Sequence, residues 1–535
     1  MSQFTPGSYG SVTVGSGNGI GGADASRMPA KTRAQAALKA HDLEAAARWF
    51  ELATQEDPKD VEALSGLGQS LCQLGRRNEG TARLREAGHR LQEVAPQPAQ
   101  IETQLGIVAR LQQWGDFAGA LELCKQLELK HPGDHRIHQL LALTYSQLNR
   151  TTDAIAAGQR ALKLDPENSM MHILQASLEA DGSMLAAAKA RLEDVLSYEL
   201  NDREEFRAHK ELARVLDKLG EYDQVFPHLH AAAGFAAGLP EYRAQNASLV
   251  PDLLQASHRG FDRHLLSHWS TTSFPSQPRP PVFLIGFLRS GTTLTQEVLD
   301  AHPDIFVADE ADFVWAMQNE LHRMDRSAAS TAEKLAKLDL AGIMQLREFY
   351  WNRVHQRFGD EIGSRLLVDK FTMNTLDLGL INCIFPDAKV LFVMRDPRDV
   401  CVSCYMQLMA PSPTTTHLLS WQGTAKIYAK VMAWWMYIRH QLTMKYLELR
   451  YEDAVAQFEP TFRKVFEFLE LPWDAGVTEF HKRAANKFIS TPSRTQVAQP
   501  LYSSSVTRWR HYATEFPPVA QALTPYVEAF GYDPF

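Results

Sequence analysis

The spacing of apolar and polar positions divides the chain into two parts. From about residue 30 to residue 235, apolar residues recur at helical spacing, and the turns between the helices are themselves periodic. The turn residues are separated by 34, 40 and 34 positions and are His41, Gly75, Gly115 and Asn149. Prolines follow at intervals of 40, 34 and 34 positions, at Pro58, Pro98, Pro132 and Pro166. The two series share one six-residue insertion, so the pattern predicts a regular array of paired helices.

Small residues stand at matched positions in this array. Ala46, Ala120 and Ala154 each lie five positions after a turn residue, where a small side chain lets two helices cross closely. A 34-residue period with such alanines is typical of tetratricopeptide repeats, and a fifth and sixth unit are degenerate, with residues 219–222 displaced from strict phase. Such arrays bury a core by stacking, and their concave face usually receives a peptide or another protein.

Beyond residue 281 the periodicity changes. Predicted strands at about 282–286, 365–369, 389–394 and 446–450 alternate with helical segments, which indicates a parallel sheet. The stretch before them ends in SFPSQPRPP, a semi-rigid spacer. We therefore expect a disordered Gly/Ser-rich leader at 1–27, a tetratricopeptide helical domain at 28–240, a connecting segment at 241–280 and an α/β domain at 281–535. The predicted fold class is an N-terminal α-solenoid followed by a P-loop-type parallel-sheet α/β domain.

Composition narrows the function classes. A formal net charge of -8 argues against nucleic acid as a bulk electrostatic partner. Five cysteines in a chain of 535 residues do not make a disulfide framework, and they fit a reducing compartment. The sequence has no apolar run of transmembrane length and no visible secretory signal, so the expected location is cytoplasmic.

The first chemical signal is PVFLIGFLRSGTT, at residues 281–293. An apolar run typical of a buried strand ends at Gly286, and the spacing from Gly286 to Gly291 is that of a phosphate-binding loop that leads into a helix. Backbone N–H groups of such a loop and of the first helical turn hold negative charge. The lysine of an ATPase loop is replaced by Thr292, and Arg289 lies inside the loop, which favours a smaller anion than a triphosphate.

A second anion signal lies in AKVLFVMRDPRDVCVSCYMQ. Another buried-strand run ends at Arg395, and Pro397 fits the first turn of a helix. Arg395 and Ser403, about two helical turns apart, can both face one phosphate. Two anion sites at neighbouring strand ends imply one ligand with two separated anionic groups.

This pair of motifs resembles the sulfotransferases that use 3'-phosphoadenosine 5'-phosphosulfate (PAPS). The resemblance is closest to the tyrosylprotein sulfotransferase branch and its bacterial relatives, and it extends over roughly residues 281–515. It implies that the 5'-phosphosulfate loop is RSGTT, with the contacts Arg289, Ser290, Gly291, Thr292 and Thr293. It implies that VMRDPRDVCVS binds the 3'-phosphate through Arg395 and Ser403. PAPS is then the co-substrate, adenosine 3',5'-bisphosphate is the product, and no metal is expected.

The catalytic groups follow from the same resemblance. Glu310 matches the catalytic base, the second member of a paired acidic motif that is Glu-Glu in the family and Asp309-Glu310 here. Lys370 in RLLVDKFTMN matches the catalytic lysine, although Thr372 replaces the proline often found two positions later. Glu310 would take the proton of the acceptor hydroxyl, and Lys370 with Arg289 would stabilise charge on the transferred group.

The remaining nucleotide contacts are also implied by the family. Tyr451 matches a tyrosine that contacts the nucleotide, and the segment SRTQVAQPLYSSSVTRW matches the closing loop, which suggests Ser493, Gln496 and Arg508. Gln407 stands where that branch has a further basic residue, so we expect this contact to be weakened or replaced.

Other interpretations of these residues remain open. Glu310 also fits a helix N-terminal carboxylate, and Lys370 a solvated strand end. Cys401 and Cys404 form a C-x-x-C pair with no second pair or histidine cluster nearby in the sequence, which argues against metal or redox work. At the level of the whole chain, the alternatives are a P-loop kinase-like enzyme and a repeat scaffold with an inactive nucleotide-binding domain.

The identity of the acceptor is not fixed by the motifs. A peptide tyrosine, a sugar and a small phenol all carry a suitable hydroxyl. The repeat domain favours a protein or peptide acceptor, but such repeats also serve docking or dimerisation, so a homodimer is a further hypothesis.

Overall fold

The structure is a computed structural model that describes residues 28–40, 42–93, 98–275, 277–485, 497 and 505–534. By the density of internal contacts, the chain divides after Leu200 into two compact units. Within the described ranges, no helix is long and apolar enough to cross a membrane.

The first unit is built from helices that pack pairwise in chain order. They are α1 (Ala30–Lys39), α2 (Leu43–Glu56), α3 (Val61–Gln73), α4 (Arg77–Glu93), α5 (Pro98–Gln113), α6 (Phe117–Lys130), α7 (His135–Gln147), α8 (Thr151–Leu164), α9 (Ser169–Asp181) and α10 (Leu185–Val195). One apolar core runs from Leu64 to Leu178, so neighbouring helix pairs share it. The alanines at matched positions, Ala46, Ala120 and Ala154, are fully buried, as close helix crossing requires. The predicted helical repeat region is confirmed.

Turn residues in left-handed conformation mark the repeat. Gly75, Gly115 and Asn149 have φ values of 84°, 74° and 58°, so three predicted turn positions carry a backbone that favours glycine or asparagine. Ser183, 34 positions after Asn149, has φ 64° and keeps the period in the degenerate fifth unit. The predicted turn at His41 lies outside the described residues.

The second unit contains a five-stranded parallel sheet. Its strands are β1 (Val282–Gly286), β2 (Ile305–Asp309), β3 (Leu366–Lys370), β4 (Lys389–Met394) and β5 (Lys445–Arg450), in the order β2-β3-β1-β4-β5. The fully apolar central strand β1 pairs with β3 on one side and β4 on the other. All strands end at the same edge of the sheet, which is the edge where open α/β sheets bind ligands. The predicted α/β class is confirmed, and β2 is an additional strand that the apolar pattern did not indicate.

Helices precede, connect and cover these strands. They are α11 (Asp202–Leu219), α12 (Tyr222–Ala236), α13 (Pro240–Arg243), α14 (Leu249–Gly260), α15 (Arg263–Ser267), α16 (Thr292–Asp300), α17 (Phe313–Met324), α18 (Thr331–Ala336), α19 (Leu340–Phe358), α20 (Leu378–Ile384), α21 (Pro397–Met406), α22 (Trp421–Ile438), α23 (Tyr451–Ala456), α24 (Phe458–Leu469), α25 (Phe480–Ala485) and α26 (Pro517–Ala529). Trp434 and Trp435 of α22 are fully buried, and Trp435 stacks on Phe392 of β4 with ring centroids 3.8 Å apart, as expected of core residues.

The helix pair α11–α12 belongs to the second unit, although its sequence continues the helical pattern of the repeats. The ring of Phe226 from α12 is buried against Tyr405 of α21, Trp421 of α22 and Tyr512, with centroid distances of 5.7, 5.2 and 5.4 Å. Tyr222 stacks on His511 at 4.0 Å. This aromatic packing joins the hairpin to the elements that follow the sheet.

Candidate active site

The loop after β1 has the backbone of an anion cradle. Arg289 and Gly291 have φ values of 66° and 105°, and α16 begins at the next residue, Thr292. A Cβ on Gly291 would lie 2.4 Å from Cδ2 of Tyr451, so only glycine fits this turn against the tyrosine ring. Thr375 holds the strand end, because its hydroxyl donates to the carbonyl of Gly286 at 2.7 Å.

The second anion motif lies directly beside this loop. Asp396 caps α21 by accepting from the backbone N–H of Arg398, and Ser403 lies in the same helix. Arg289 Nε donates to Ser403 Oγ at 3.0 Å, and Arg395 Nη1 donates to the carbonyl of Arg289 at 3.3 Å. The groups predicted to bind the two anionic ends of one ligand are therefore adjacent.

Two polar atoms in this cradle are buried without a hydrogen-bond partner in the described structure. They are Ser290 Oγ, from the loop, and Arg395 Nε, from the end of β4. A buried polar atom without a partner is costly, and such exceptions often mark the place of a ligand. A phosphate or sulfate oxygen would satisfy both, so the donor set fits a nucleotide with anionic groups at both ends.

Tyr451 and the segment from Ser505 to Trp509 close the cradle. The guanidinium of Arg395 lies over the ring of Tyr451 at 4.8 Å and donates to the carbonyl of Ser505, while the Tyr451 hydroxyl lies 2.7 Å from Ser505 Oγ. The carboxylate of Asp399 accepts from the backbone N–H groups of Thr507 and Trp509, each at 2.8 Å. Burial raises the pKa of Asp399 to about 6, against the opposing effect of Arg395 and these N–H groups.

Arg508 lies in this closing segment, but its ion-pair partner lies outside the sequence motifs. Its Nε donates to Asp217 of α11 at 3.0 Å, and its Nη2 lies 3.1 Å from the sulfur of Met406. Ser493 and Gln496, the other two residues predicted to close over the ligand, lie outside the described residues.

A buried lysine and two carboxylates form the second part of the site. Lys370 ends β3, is fully buried, and its Nζ lies 3.1 Å from Asp309 Oδ1 and 3.0 Å from Glu310 Oε1. The parallel register of β2 and β3 pairs Asp309 with Lys370, and the backbone N–H of Glu310 donates to the Lys370 carbonyl at 2.8 Å. Glu310 itself has φ 46°, a turn that aims its side chain back at the lysine.

The lysine is held in its charged form. Burial alone would lower the pKa of Lys370, but the carboxylates of Asp309 and Glu310 raise it by more, so the net shift is upward. A proton donor and hydrogen-bonded carboxylates thus stand at the same sheet edge as the anion cradle. Such an arrangement can take a proton from a hydroxyl and stabilise negative charge that develops beside it.

Behind Lys370 lies an acidic group that the sequence motifs did not indicate. Asp369 is fully buried on the opposite face of β3 and accepts from the hydroxyl of Tyr350 at 2.9 Å. Burial raises its pKa to about 7. Side chains alternate between the two faces along β3, so Asp369 is directed away from the site that contains Lys370. The aromatic residues around Tyr350 are the only signal that could have indicated this group.

Three other residues discussed above have hydrogen-bond partners within the described structure. Thr372, which replaces the family proline, begins a 3-10 helix, Thr372–Asp377, and its hydroxyl lies 3.2 Å from that of Thr292. The Gln407 amide donates to the carbonyl of Leu408 at 3.3 Å. Cys404, like Cys401, is buried in α21, and its sulfur contacts the Leu288 carbonyl at 3.4 Å.

Comparison with known proteins identifies the two kinds of module. Residues 280–475 match the model of the sulfotransferase family. Residues 31–77 and 111–178 match models of the tetratricopeptide repeat.

Individual relatives align with about half of the chain. An uncharacterized protein of Aquifex aeolicus (strain VF5) is 29% identical over 321 residues, which cover 58% of this chain and 40% of that protein. Protein-tyrosine sulfotransferase A of Caenorhabditis elegans is 26% identical over 275 residues, covering 48% of this chain and 68% of the enzyme. Among solved structures, the sulfotransferase domain of the Synechococcus PCC 7002 olefin synthase is 19% identical, with a TM-score of 0.36, and covers 49% of this chain and 98% of that domain.

Proposed function

We propose that this chain, in which residues 280–475 are a sulfotransferase-family segment, moves a sulfuryl group from PAPS to a hydroxyl of an acceptor. The observation that carries the proposal is the junction of the two anion motifs, where Arg289 bonds Ser403 and Arg395 bonds the Arg289 carbonyl. One nucleotide with a phosphosulfate at one end and a ribose phosphate at the other matches that junction. The donor supplies an activated sulfuryl group, whose sulfur–oxygen bond to the 5'-phosphate breaks as the bond to the acceptor oxygen forms.

Glu310 acts in this proposal as the general base. Its carboxylate stands at the end of β2, where it accepts a hydrogen bond from Lys370 and is about a quarter exposed, so an acceptor hydroxyl can reach it. A positioned base of this kind contributes roughly 10² to 10⁴ in rate. The proton of the acceptor passes to Glu310, which leaves the acceptor oxygen free to attack.

Lys370 and Arg289 stabilise the charge that develops during transfer. Lys370 stays protonated because two carboxylates face it, and its buried position removes competing water. A preorganised donor of this kind contributes on the order of 3 kcal/mol to the barrier.

The remaining cradle residues bind the nucleotide. Ser290, Thr292, Thr293 and the backbone of Gly291 would hold the phosphosulfate at the start of α16. Arg395 and Ser403 would hold the 3'-phosphate and select PAPS over other adenine nucleotides. Tyr451, Ser493, Gln496 and Arg508 complete the enclosure in this proposal.

We extend the proposal to a tyrosine hydroxyl of a protein or peptide as the acceptor. The Caenorhabditis elegans relative carries this activity in its name, and the tetratricopeptide helices of the first unit are of a class that receives peptides. A protein or peptide acceptor also fits the site because Glu310, the proposed base, is partly exposed at the end of β2.

Transfer of label from PAPS carrying radioactive sulfate tests the proposal. The full chain is incubated with tyrosine peptides, sugars and small phenols, beside Glu310→Ala and the control Glu361→Ala, an exposed carboxylate before β3. We expect wild type and Glu361→Ala to label an acceptor and Glu310→Ala to lose roughly 10² to 10⁴ of the rate. Equal labelling by Glu310→Ala would remove this residue as the base. Nucleotide binding without any labelling would support an inactive scaffold, and ATP turnover with magnesium would support a kinase.

A further inference from the structure

A carboxylate that lies outside residues 280–475 forms an ion pair with the segment that closes the proposed nucleotide cradle. Asp217 lies near the C-terminal end of α11, a helix of the second unit that precedes the whole sheet. It is 13% exposed, and its oxygens face Arg508, with Arg508 Nε 3.0 Å from Oδ1 and Nη2 2.5 Å from Oδ2. The hydroxyl of Tyr512 donates to the same Oδ1.

The backbone on both sides of Arg508 is held against the helix that carries Ser403. Thr507 and Trp509 both donate to Asp399 of α21, and Arg508 itself contacts Met406, one helical turn after Ser403. The guanidinium is therefore confined between α21 on one side and α11 on the other. It lies beside the proposed 3'-phosphate site.

The geometry of the ion pair orients the guanidinium. Asp217 engages Nε and Nη2 together, a side-on bidentate pair that fixes the plane of the group. The described contacts use these two nitrogens, so Nη1 is the donor that remains for a ligand. Without the carboxylate, an arginine side chain has several rotamers and loses conformational entropy each time it binds an anion.

The same helix supports α21 at a second point. Lys210, two turns before Asp217, is buried, and its Nζ donates to the backbone carbonyl of Tyr405 in the last turn of α21. Its ammonium also lies 5.0 Å from the centre of the Tyr405 ring. Thus α11 contacts both the helix that carries Ser403, through Lys210, and Arg508, through Asp217.

We infer that Asp217 is a positioning residue of the nucleotide site, which aims Arg508 at the phosphate on the ribose. The inference rests on the proposed function, because it takes PAPS as the ligand. The inference assigns Arg508 to the 3'-phosphate, so its specific consequence is selectivity for nucleotides that carry this phosphate. Loss of Asp217 should therefore weaken binding of nucleotides that carry this phosphate and leave others nearly unaffected.

Equilibrium binding of two nucleotides to the full chain tests this consequence. Adenosine 3',5'-bisphosphate carries the 3'-phosphate and AMP lacks it, so the ratio of their dissociation constants reports the 3'-site alone. The variants are Asp217→Asn, Asp217→Glu and Arg508→Gln, with Asp223→Asn as the control. Asp223 is an exposed carboxylate in the first turn of the neighbouring helix α12.

We expect Asp217→Asn to reduce the preference for the bisphosphate about tenfold, within the usual range of coupling between contacting residues. Asp217→Glu, which keeps the charge, should retain part of the preference, and Asp223→Asn should keep all of it. In the double variant Asp217→Asn with Arg508→Gln, the two losses should not add, because both act through one guanidinium.

Several results would overturn the inference. If Asp217→Asn weakened both nucleotides by the same factor, the carboxylate would be a structural support only. If it strengthened binding of the bisphosphate, Asp217 would compete with the phosphate for Arg508. If Asp217→Asn failed to fold, the ratio in Asp217→Glu would decide, and an unchanged ratio there would count against positioning. A wild type that binds neither nucleotide would instead refute the proposed function.

Discussion

The Nζ atom of Lys370 lies 3.0 Å from Oε1 of Glu310, at the point where two adjacent parallel strands end. The lysine is fully buried and also contacts Asp309, so one ammonium faces two carboxylates. This excess of acceptors matters for the chemistry. In the proposed reaction, Asp309 would neutralise Lys370, and Glu310 would accept the proton of the acceptor hydroxyl.

Replacing Lys370 by alanine should therefore slow the reaction without emptying the nucleotide site. We expect Lys370→Ala to lower kcat by roughly 10² to 10³, the usual effect of removing one preorganised charge-stabilising donor. The dissociation constant of adenosine 3',5'-bisphosphate should change little, because the predicted phosphate contacts follow β1 and β4, whereas Lys370 ends β3. Steady-state kinetics with labelled PAPS and nucleotide titration give the two quantities.

The matched control is Lys389→Ala. Lys389 is the first residue of β4 and so lies at the amino-terminal end of its strand, whereas Lys370 is the last residue of β3. Lys389 pairs with Glu470 at 2.6 Å, so it is also a strand lysine beside a glutamate. Its removal should leave kcat within about twofold, because Lys389 lies at the start of its strand and contacts none of the proposed site residues that the structure describes. An equal loss of kcat in both variants would indicate general damage to the sheet.

The loop after β1, which we propose to bind the phosphosulfate, gives a prediction about backbone conformation. In Gly291→Ala, the new Cβ would lie 2.4 Å from the Tyr451 ring, and φ 105° is unfavourable for any side chain. We expect the free energy of unfolding to fall by at least about 1–2 kcal/mol, the cost of a left-handed residue with a Cβ. Affinity for adenosine 3',5'-bisphosphate should fall as well, because Tyr451 must shift.

Gly234→Ala provides the comparison for this loop variant. Gly234 lies within α12, and a Cβ there would meet nothing within 4 Å. Alanine should stabilise this helix by roughly 0.5–1 kcal/mol. Thermal unfolding of the two variants should thus shift in opposite directions, and a shift of the same sign would contradict the requirement for glycine at position 291.

Most of the helices and strands could be predicted because each of them depends on a short stretch of sequence. The run at 282–286 is apolar throughout, and the run at 389–394 is apolar after Lys389; the structure forms β1 and β4 with those bounds. The strand β2 was missed because it lies at the sheet edge, where only Ile305 and Ala308 are buried, so its sequence lacks a continuous apolar run. Its position nevertheless decides the site, since it ends at Asp309.

The contacts that hold Arg508 are not local in sequence. Arg508 and Asp217 are separated by 291 positions, and neither carries a sequence feature that names the other. The family motif predicted Arg508 as a ligand contact, while helical periodicity assigned Asp217 to a repeat. Only the packing of α11 against α21 brings the two together, through contacts such as that of Lys210 with Tyr405. The order of strands in the sheet is likewise a property of the assembled fold.

The close helix crossings of the first unit predict a cost for larger side chains. Ala154 is fully buried in α8, within the apolar core that neighbouring helix pairs share. We expect Ala154→Leu to destabilise the unit by about 1–3 kcal/mol through overpacking. Ala187→Leu is the control, because Ala187 is exposed on α10, and its effect should stay within about 0.5 kcal/mol. Urea unfolding measures both, and equal effects would argue against tight packing at Ala154.

The last prediction concerns the buried Lys210. Burial lowers its pKa from 10.5 to about 7, so the folded protein releases this proton at a lower pH than the unfolded chain does. Between these two values the unfolded state binds more protons, and the stability of the folded state therefore rises with pH. Below about pH 7 the lysine is charged in both states, and its unfavourable effect is then constant.

Comparison of wild type with Lys210→Met isolates this effect, since methionine keeps much of the side-chain length and does not titrate. As pH rises from about 7 toward 10, the free energy of unfolding of wild type should increase relative to Lys210→Met by up to about 1.4 kcal/mol per pH unit. Urea denaturation at several pH values measures the difference. A difference between wild type and Lys210→Met that stays constant over this range would mean that Lys210 remains charged against the Tyr405 carbonyl, with its positive charge stabilised by the C-terminal end of α21.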